Sequence, residues 1–356
     1  MRDSRNCGEG PVKPGHDEPT PAHYGIASSA RRGQARGLEW QSRRATMAQG
    51  FAWTRREVWT RKLIYPGHTF PTAIAPIVVS IGLAWHDRVF AAVPVLLAFL
   101  AGWLIQFGGV VTDNYTNLVR SPKDREHPEL VEAVESGLLS IADLKATIIA
   151  SFALAVVFGL ALYAMAGWPV IAIGLASILA SWAYSAGPFP FGRHGFADPL
   201  FFLFFGIISV LGGYFVQAAV TLGPEHWREA MPLTAVAVSL PIGALITDIL
   251  IIDDIRDWEF DRVKGKNTVA VRFGRIYSRC EFVALMGFAY LAPFWLWRSY
   301  DFSAWVLLPL LTLPLAVMIA RLVWTKDRYI DLLPMTPRLA MLTVGYSICL
   351  AIGLAV

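Results

Sequence analysis

Three carboxylates, Asp253, Asp257 and Asp261, recur at successive fourth positions just beyond an apolar segment long enough to cross a bilayer. On an α-helix each step of four turns about 400°, so the three form one slowly drifting stripe. Like charges so placed repel by about a few tenths of a kcal/mol per pair even in water. Such a stripe calls for a counter-cation. Two readings follow. The stripe is a solvated helix end in which Asp alternates with Arg256 and Arg262, or it is a divalent-metal site holding a phosphorylated substrate at the membrane surface. A second polar group, Asp113, Asn114 and Asn117 with Asp124 beyond, occurs four spans earlier, in a stretch expected to be the first long loop. Alone it is a weak signal, because Asp and Asn commonly cap helices and shape turns. Its weight comes from recurring on the same side of the membrane as the stripe. Two oxygen-rich clusters facing each other across a bundle would suit Mg²⁺ ions that bridge a diphosphate, since Mg²⁺ takes a few carboxylates together with waters and phosphate oxygens.

The elements that must position these groups are membrane helices. The 356-residue chain is 55% apolar and only 16% charged, where soluble domains run to about a quarter charged, and its apolar residues collect in long blocks. A template of roughly 20 apolar residues per span predicts nine, at 69–85, 89–111, 144–166, 168–184, 199–220, 231–252, 280–297, 303–324 and 337–356. With these spans 28 of the 31 Lys and Arg fall on one side, and only Arg88, Arg228 and Arg298 on the other. That split predicts a cytoplasmic N-terminus and a C-terminus on the opposite face of the cytoplasmic (inner) membrane. The connections on the cytoplasmic side are the long polar ones, which is where sites concentrate. Residues 1–50 are rich in Gly, Pro, Arg and Ser without an apolar period. They are expected to be a disordered extension, or to precede a true start at Met47. Residues 51–67 mix Trp with basic residues, as a short helix on an anionic interface would, and 68–356 form the nine-helix unit. The scattered Cys7, Cys280 and Cys349 show neither a disulfide framework nor metal-ligand spacing. No basic run has the aromatic interleaving of a nucleic-acid binder.

The segment Asp253, Arg256, Asp257, Asp261 and Arg262, followed by Gly265-Lys266-Asn267-Thr268 and Val271-Arg272-Phe273-Gly274, resembles the second aspartate-rich motif of the UbiA-type membrane prenyltransferases. Its tail is most similar to the branch that prenylates dihydroxynaphthoate in menaquinone synthesis. The stretch from Tyr184 to Pro190, with Gly195 to Asp198 after it, is similar to the family's loop between its fourth and fifth helices. The likeness runs from about residue 65 to the C-terminus. It implies an all-α integral membrane protein, nine helices in a bundle around a central apolar cavity that opens near the cytoplasmic face. It implies Mg²⁺ on the two acidic motifs, with Asp113, Asn114, Asn117, Asp124, Asp253, Asp257 and Asp261 as ligands. A polyprenyl diphosphate would be held with help from Arg256, Lys264, Lys266, Arg120 and His68, and Tyr115, Tyr184 and Asp198 would stand near the chemistry. The implied activity is transfer of the polyprenyl group to an aromatic quinone precursor. Departure of diphosphate leaves an allylic cation, which an electron-rich ring attacks. Metal ions and cationic side chains neutralise the leaving group, dry helix walls keep water from the cation, and aromatic faces stabilise it.

The chain departs from the family at three places. Where the family usually has Asn-Asp-x-x-Asp, this chain has Asp113-Asn114 and then Asn117. An amide oxygen can ligate a hard cation but brings no charge. Asp253 and Asp254 replace a common Asn pair in the second motif, which is therefore expected to carry more of the metal. Tyr65 or His68 stands where the family has a basic residue, and His68 fills a phosphate-binding role best when protonated. Two other readings remain at this level: a porphyrin-type or non-aromatic acceptor, and a lipid-binding or transport protein that has lost catalysis. Against a transport pathway, the acids cluster at one face instead of running through the bilayer depth.

Overall fold

The computed structural model describes Thr54, residues 69–120 and residues 128–356. The expected extension over 1–50 and the interfacial segment over 51–67, Thr54 apart, lie outside the described residues, as do His68 and Asp124. The described residues are helical throughout their apolar blocks, and no strand occurs among them. In chain order the helices are α1 Thr69–His86, α2 Ala92–Arg120, α3 Pro128–Glu135, α4 Ile141–Ala166, α5 Pro169–Ser185 and α6 Ala197–Leu222. They continue with α7 Leu233–Lys264, α8 Val269–Phe273, α9 Arg275–Ser299, α10 Ala304–Thr325 and α11 Tyr329–Ala355. Seven of these, α2, α4, α6, α7, α9, α10 and α11, are long and apolar enough to cross a membrane by length and composition, and α1 and α5 are shorter apolar helices.

Their burial sorts them. The most apolar window of α7 is 83% buried, whereas that of α4 is only 17% buried. An apolar helix exposed around most of its circumference belongs in lipid, so α4 is peripheral and α7 is the strut at the centre. Ile242, Leu245, Ile246 and Ile251 of α7 are fully or almost fully buried in the core. Pro241 lies inside α7 without ending it, as neighbouring helices permit in a bundle.

Local chemistry sets the ends. Ser140 and Asp143 form a capping box at the start of α4, the Ser140 hydroxyl accepting from the Asp143 amide and the Asp143 carboxylate from the Ser140 amide. Such a cap stabilises a helix end by about 1 kcal/mol. Gly265 ends α7 in the left-handed region at φ 68, its amide donating to the Arg262 and Asp261 carbonyls, a conformation that L side chains avoid. Inside α6, Phe202–Ile208 is π-helical, a wider turn that often marks functional sites. There Gly206 meets Gly243 of α7 backbone to backbone, with no room for a Cβ, the small-residue contact that lets membrane helices approach closely.

The largest departure from expectation is at α2. The helix does not end near residue 111 but runs to Arg120, so the first polar group sits on a helix and not in a loop. The cause is local. Thr112, Asn114 and Thr116 each donate to a backbone carbonyl three or four residues back in the same helix, so a polar sequence is satisfied without leaving the helix.

Candidate active site

A cavity of about 760 Å³ runs between α1, α2, α4, α5, α6 and α7. Its walls are mostly apolar, with Phe99, Leu160, Ile178 and Phe204 among them, and the π-helical turn of α6 supplies Phe205 and Ile208. Its charged residues come from the C-terminal ends of α2 and α7 and from the turn after α7, and Tyr184 joins them from the end of α5. Tyr184 of α5 feels the charges of Asp113, Asp254, Lys266 and Asp261, so these groups form one cluster.

On α7 the acids are organised by Arg256. Its Nε and one terminal nitrogen donate to the two carboxylate oxygens of Asp257 at 2.8 and 2.6 Å, and the other terminal nitrogen donates to Asp253 at 2.5 Å. The planar fork matches a carboxylate in this bidentate way. Thr336, on α11, donates to the same Asp253 oxygen at 2.6 Å and accepts from Arg256 at 3.2 Å. The guanidinium lies over the Tyr329 ring, 5.6 Å from its centroid. Asp261 is held by Lys266 at 3.3 Å. Asp254 lines the cavity with no hydrogen bond or ion pair among the described residues.

On α2 the arrangement is different. Asn117 donates from its amide nitrogen to Asp113 at 3.1 Å, and Asn114 to the Val110 carbonyl at 2.9 Å. Asp113 and Asn114 line the cavity, whereas Asn117 is buried behind them.

The structure brings Asp113, Asn114, Asp253, Asp257, Asp261, Arg256, Lys266 and Tyr184 to one cavity. Four other expected residues stand apart. The Tyr115 ring carries Lys145 of α4 at 5.7 Å and does not line the cavity; two residues on from Asp113, it projects to another face of α2. Arg120 donates to the Ser185 and Gly187 carbonyls at 3.0 and 3.4 Å, tying α2 to the loop after α5. The Lys264 carbonyl accepts from Arg193 at 3.0 Å, and Lys264 does not line the cavity. Asp198 is buried in α6 and, among the described residues, neither carboxylate oxygen has a hydrogen-bond partner. Asp248 of α7 is fully buried in the same condition, and both are close enough to Glu281 of α9 to feel its charge. Buried carboxylates without partners are costly, and we have no physical account of this pair.

Sequence reasoning passed over Asp254 as a ligand, although its spacing is informative. Positions 254, 257 and 261 are related as i, i+3 and i+7, the spacing of a single helix face. Thr336 and Tyr329 carried no signal, being separated from the motif by α8, α9 and α10.

Among the described residues five carboxylates, Asp113, Asp253, Asp254, Asp257 and Asp261, face the cavity with two cations, Arg256 and Lys266. The donors are all hard oxygens, the set that Mg²⁺ prefers. Among the described residues no three His, Cys, Asp or Glu side chains converge to cage an ion unaided. A cation that keeps its waters and takes phosphate oxygens needs only one or two protein carboxylates at a time.

Residues 73–331 match the model of the UbiA prenyltransferase family. A 1,4-dihydroxy-2-naphthoate octaprenyltransferase of Escherichia coli (strain K12) is 30% identical over 293 residues, covering 80% of this chain and 91% of that protein. The apo structure of a UbiA homologue from Aeropyrum pernix K1 superposes with a TM-score of 0.60 at 14% identity, over 77% of this chain and 96% of that one. A UbiA homologue from Archaeoglobus fulgidus bound to DMAPP and Mg²⁺ superposes at 0.54 and 15% identity, over 82% and 98% of the two chains. The two structures share the fold.

Proposed function

We propose, for a chain that belongs to the UbiA prenyltransferase family and is a membrane prenyltransferase, that it moves a polyprenyl group from its diphosphate to a dihydroxynaphthoate-like aromatic acceptor in this cavity. One observation carries the reading: a single chamber joins long apolar walls to a cluster in which five carboxylates outnumber two cations. Among the described residues that is a formal excess of three negative charges, which repels a diphosphate, and divalent cations reconcile the two. The Archaeoglobus homologue bound to DMAPP and Mg²⁺ supports the same pairing. Asp254, Asp257 and Asp261 on α7, with Asp113 and Asn114 on α2, would hold Mg²⁺, and Asn117 would orient Asp113 from behind. Bound there, it would neutralise charge developing on the departing diphosphate.

The chain's own groups do the rest. Lys266, and the face of Arg256 that its carboxylates leave open, meet phosphate oxygens. Asp253, Asp257 and Thr336 keep that guanidinium in one orientation, so it does not have to be ordered during the reaction. The apolar walls take the isoprenoid tail and keep water from the allylic centre. Breaking the bond from the allylic carbon to the diphosphate oxygen sends the electron pair to that oxygen. The faces of Tyr184 and Phe201, rings 5.6 Å apart, stabilise the positive charge left behind. A carbon of the acceptor ring then bonds to the allylic carbon; the bond from that ring carbon to its hydrogen or carboxyl substituent breaks, its electron pair restores aromaticity, and a proton or carbon dioxide leaves. Tyr115 and Asp198, which do not line the cavity, are assigned no step. In this reading α1 and α5 are spans as well, giving nine crossings, with the N-terminus and the acidic mouth cytoplasmic.

Membranes containing the protein, given labelled polyprenyl diphosphate and a panel of ring acceptors, are expected to form product only with Mg²⁺ and best with an aromatic acid. Equal turnover after chelation, or product with non-aromatic acceptors alone, would overturn the proposal.

A further inference from the structure

The two chain segments that wall the cavity also wall a second recess, of about 350 Å³. Tyr184, Phe191 and Lys266 line the cavity, while Gly187, Arg193, His194, Gly265 and Asn267 line the recess together with Arg120. The charge is reversed. The recess presents two guanidiniums, and among the described residues neither meets a carboxylate. Each is aimed by backbone carbonyls instead: Arg120 by Ser185 and Gly187, and Arg193 by Lys264 at 3.0 Å. A carbonyl orients a guanidinium without cancelling its charge, so donors remain for an oxyanion.

The surroundings select the kind of oxyanion. The His194 ring stacks on Phe189 with centroids 4.0 Å apart and planes at 22°, and Phe189 lies 6.3 Å from Phe196. Both phenylalanines are exposed, at 55% and 50%. A phosphate needs the guanidiniums and has no use for the rings. An aromatic acid uses both, because a planar fork matches its carboxylate and aromatic faces receive its ring.

We propose that the recess of Arg120, Arg193 and His194 is an entry site that captures the carboxylate of an aromatic acid acceptor at the aqueous face, before the ring passes to the neighbouring cavity. The identity of the ligand rests on the aromatic-acceptor reading above; the site itself rests on the recess alone. The division of labour follows from electrostatics. An anionic acceptor is repelled by the acidic cluster and attracted by the recess, so the two anionic substrates are gathered at different places.

The full-length protein in phosphatidylcholine nanodiscs tests this with two fluorescent probes, 1-hydroxy-2-naphthoate and 1-naphthol, without a prenyl donor. Arg193→Gln, which keeps a donor for the Lys264 carbonyl, is expected to weaken naphthoate binding about tenfold and to leave naphthol binding unchanged. Arg193→Lys is expected to recover part of the loss, and added salt to weaken the acid alone. In turnover, Arg193→Gln should raise KM for the acid acceptor and not for the prenyl diphosphate. Equal losses for naphthoate and naphthol, or a fall in Tm with binding intact, would show that Arg193 only ties loops together, and the proposal fails. Inhibition by inorganic diphosphate that weakens in Arg193→Gln while naphthoate binding persists would assign the recess to the leaving group, and the proposal also fails. If the protein prenylates no aromatic acid yet binds naphthoate through Arg193, the recess stands and the acceptor reading falls. If it prenylates the acid with an unchanged KM in Arg193→Gln, the acceptor reading stands and the recess falls.

Discussion

The two acidic helix ends that face each other across the cavity solve the same problem by different means. At the end of α7 the site is built of carboxylates, and cations interleaved in the same helix and the turn after it hold three of the four: Arg256 clamps Asp253 and Asp257, and Lys266 holds Asp261. At the end of α2 charge has been given up, and an amide-to-carboxylate hydrogen bond from Asn117 to Asp113 does the holding. The first arrangement is strongly charged and depends on a neighbouring helix, α11, for its alignment. The second has a single carboxylate, which accepts from an amide of its own helix. An acidic site therefore does not need matching halves, because what must balance is the chamber as a whole with its ions and diphosphate in place.

The contrast can be broken most forcefully at α7. Asp257→Ala and Asp261→Ala are expected to cut turnover at least about a hundredfold at saturating Mg²⁺ while the protein still inserts, measured in membranes normalised for expression. Full turnover in both would remove the metal assignment. Asp254→Asn should raise the Mg²⁺ concentration needed for half-maximal rate, since that carboxylate makes no hydrogen bond or ion pair among the described residues. Thr336→Val tests whether α11 aligns the cluster. It removes one donor to Asp253, and a loss of about three- to tenfold is expected, seen as a higher Mg²⁺ half-saturation with Tm little changed. At α2 the effect should reverse with metal. Asn117→Asp replaces a hydrogen bond with a like-charge pair one helical step apart, lowering stability without Mg²⁺ by about a few tenths of a kcal/mol. With Mg²⁺ it should lower the concentration needed for half-maximal rate; a large loss of activity would mean that the motif is built around the amide.

The smallest effect is expected far from both ends. Asp327 accepts from Arg279 at 2.7 Å, and this hydrogen bond holds its carboxyl below the ordinary range. Its folded value is depressed, so its contribution is present above the unfolded value, about 3.9, and lost as pH falls through the folded one. Being well exposed, the pair is worth only about a few tenths of a kcal/mol. Asp327→Asn should leave turnover untouched and flatten slightly the acid side of the stability profile.

Much of this was legible along the chain. Long apolar blocks located the helices, because a bilayer imposes length and composition together. The motif at 253–261 was legible because charge at a helix end is rare and helical spacing is regular. The extension of α2 was not, because Thr112, Asn114 and Thr116 look like loop formers until their hydrogen bonds to their own helix are seen. Counting in fours chose Asp253, which lines the cavity, and left out Asp254, which a step of three followed by four adds to the same face. The clamp from Thr336 and the pairing of Arg120 with Arg193 depend on which helices become neighbours, and neither spacing nor composition carries that information.

The Gly206–Gly243 crossing has a consequence for substrate length. Where α6 meets α7, behind the chamber wall, backbone is pressed on backbone, a seam that side-chain rearrangement cannot loosen. Those two walls thus cannot spread to widen the chamber, and a longer isoprenoid is accommodated by depth. Which residue closes the far end, and not how wide the barrel is, would then set the ruler.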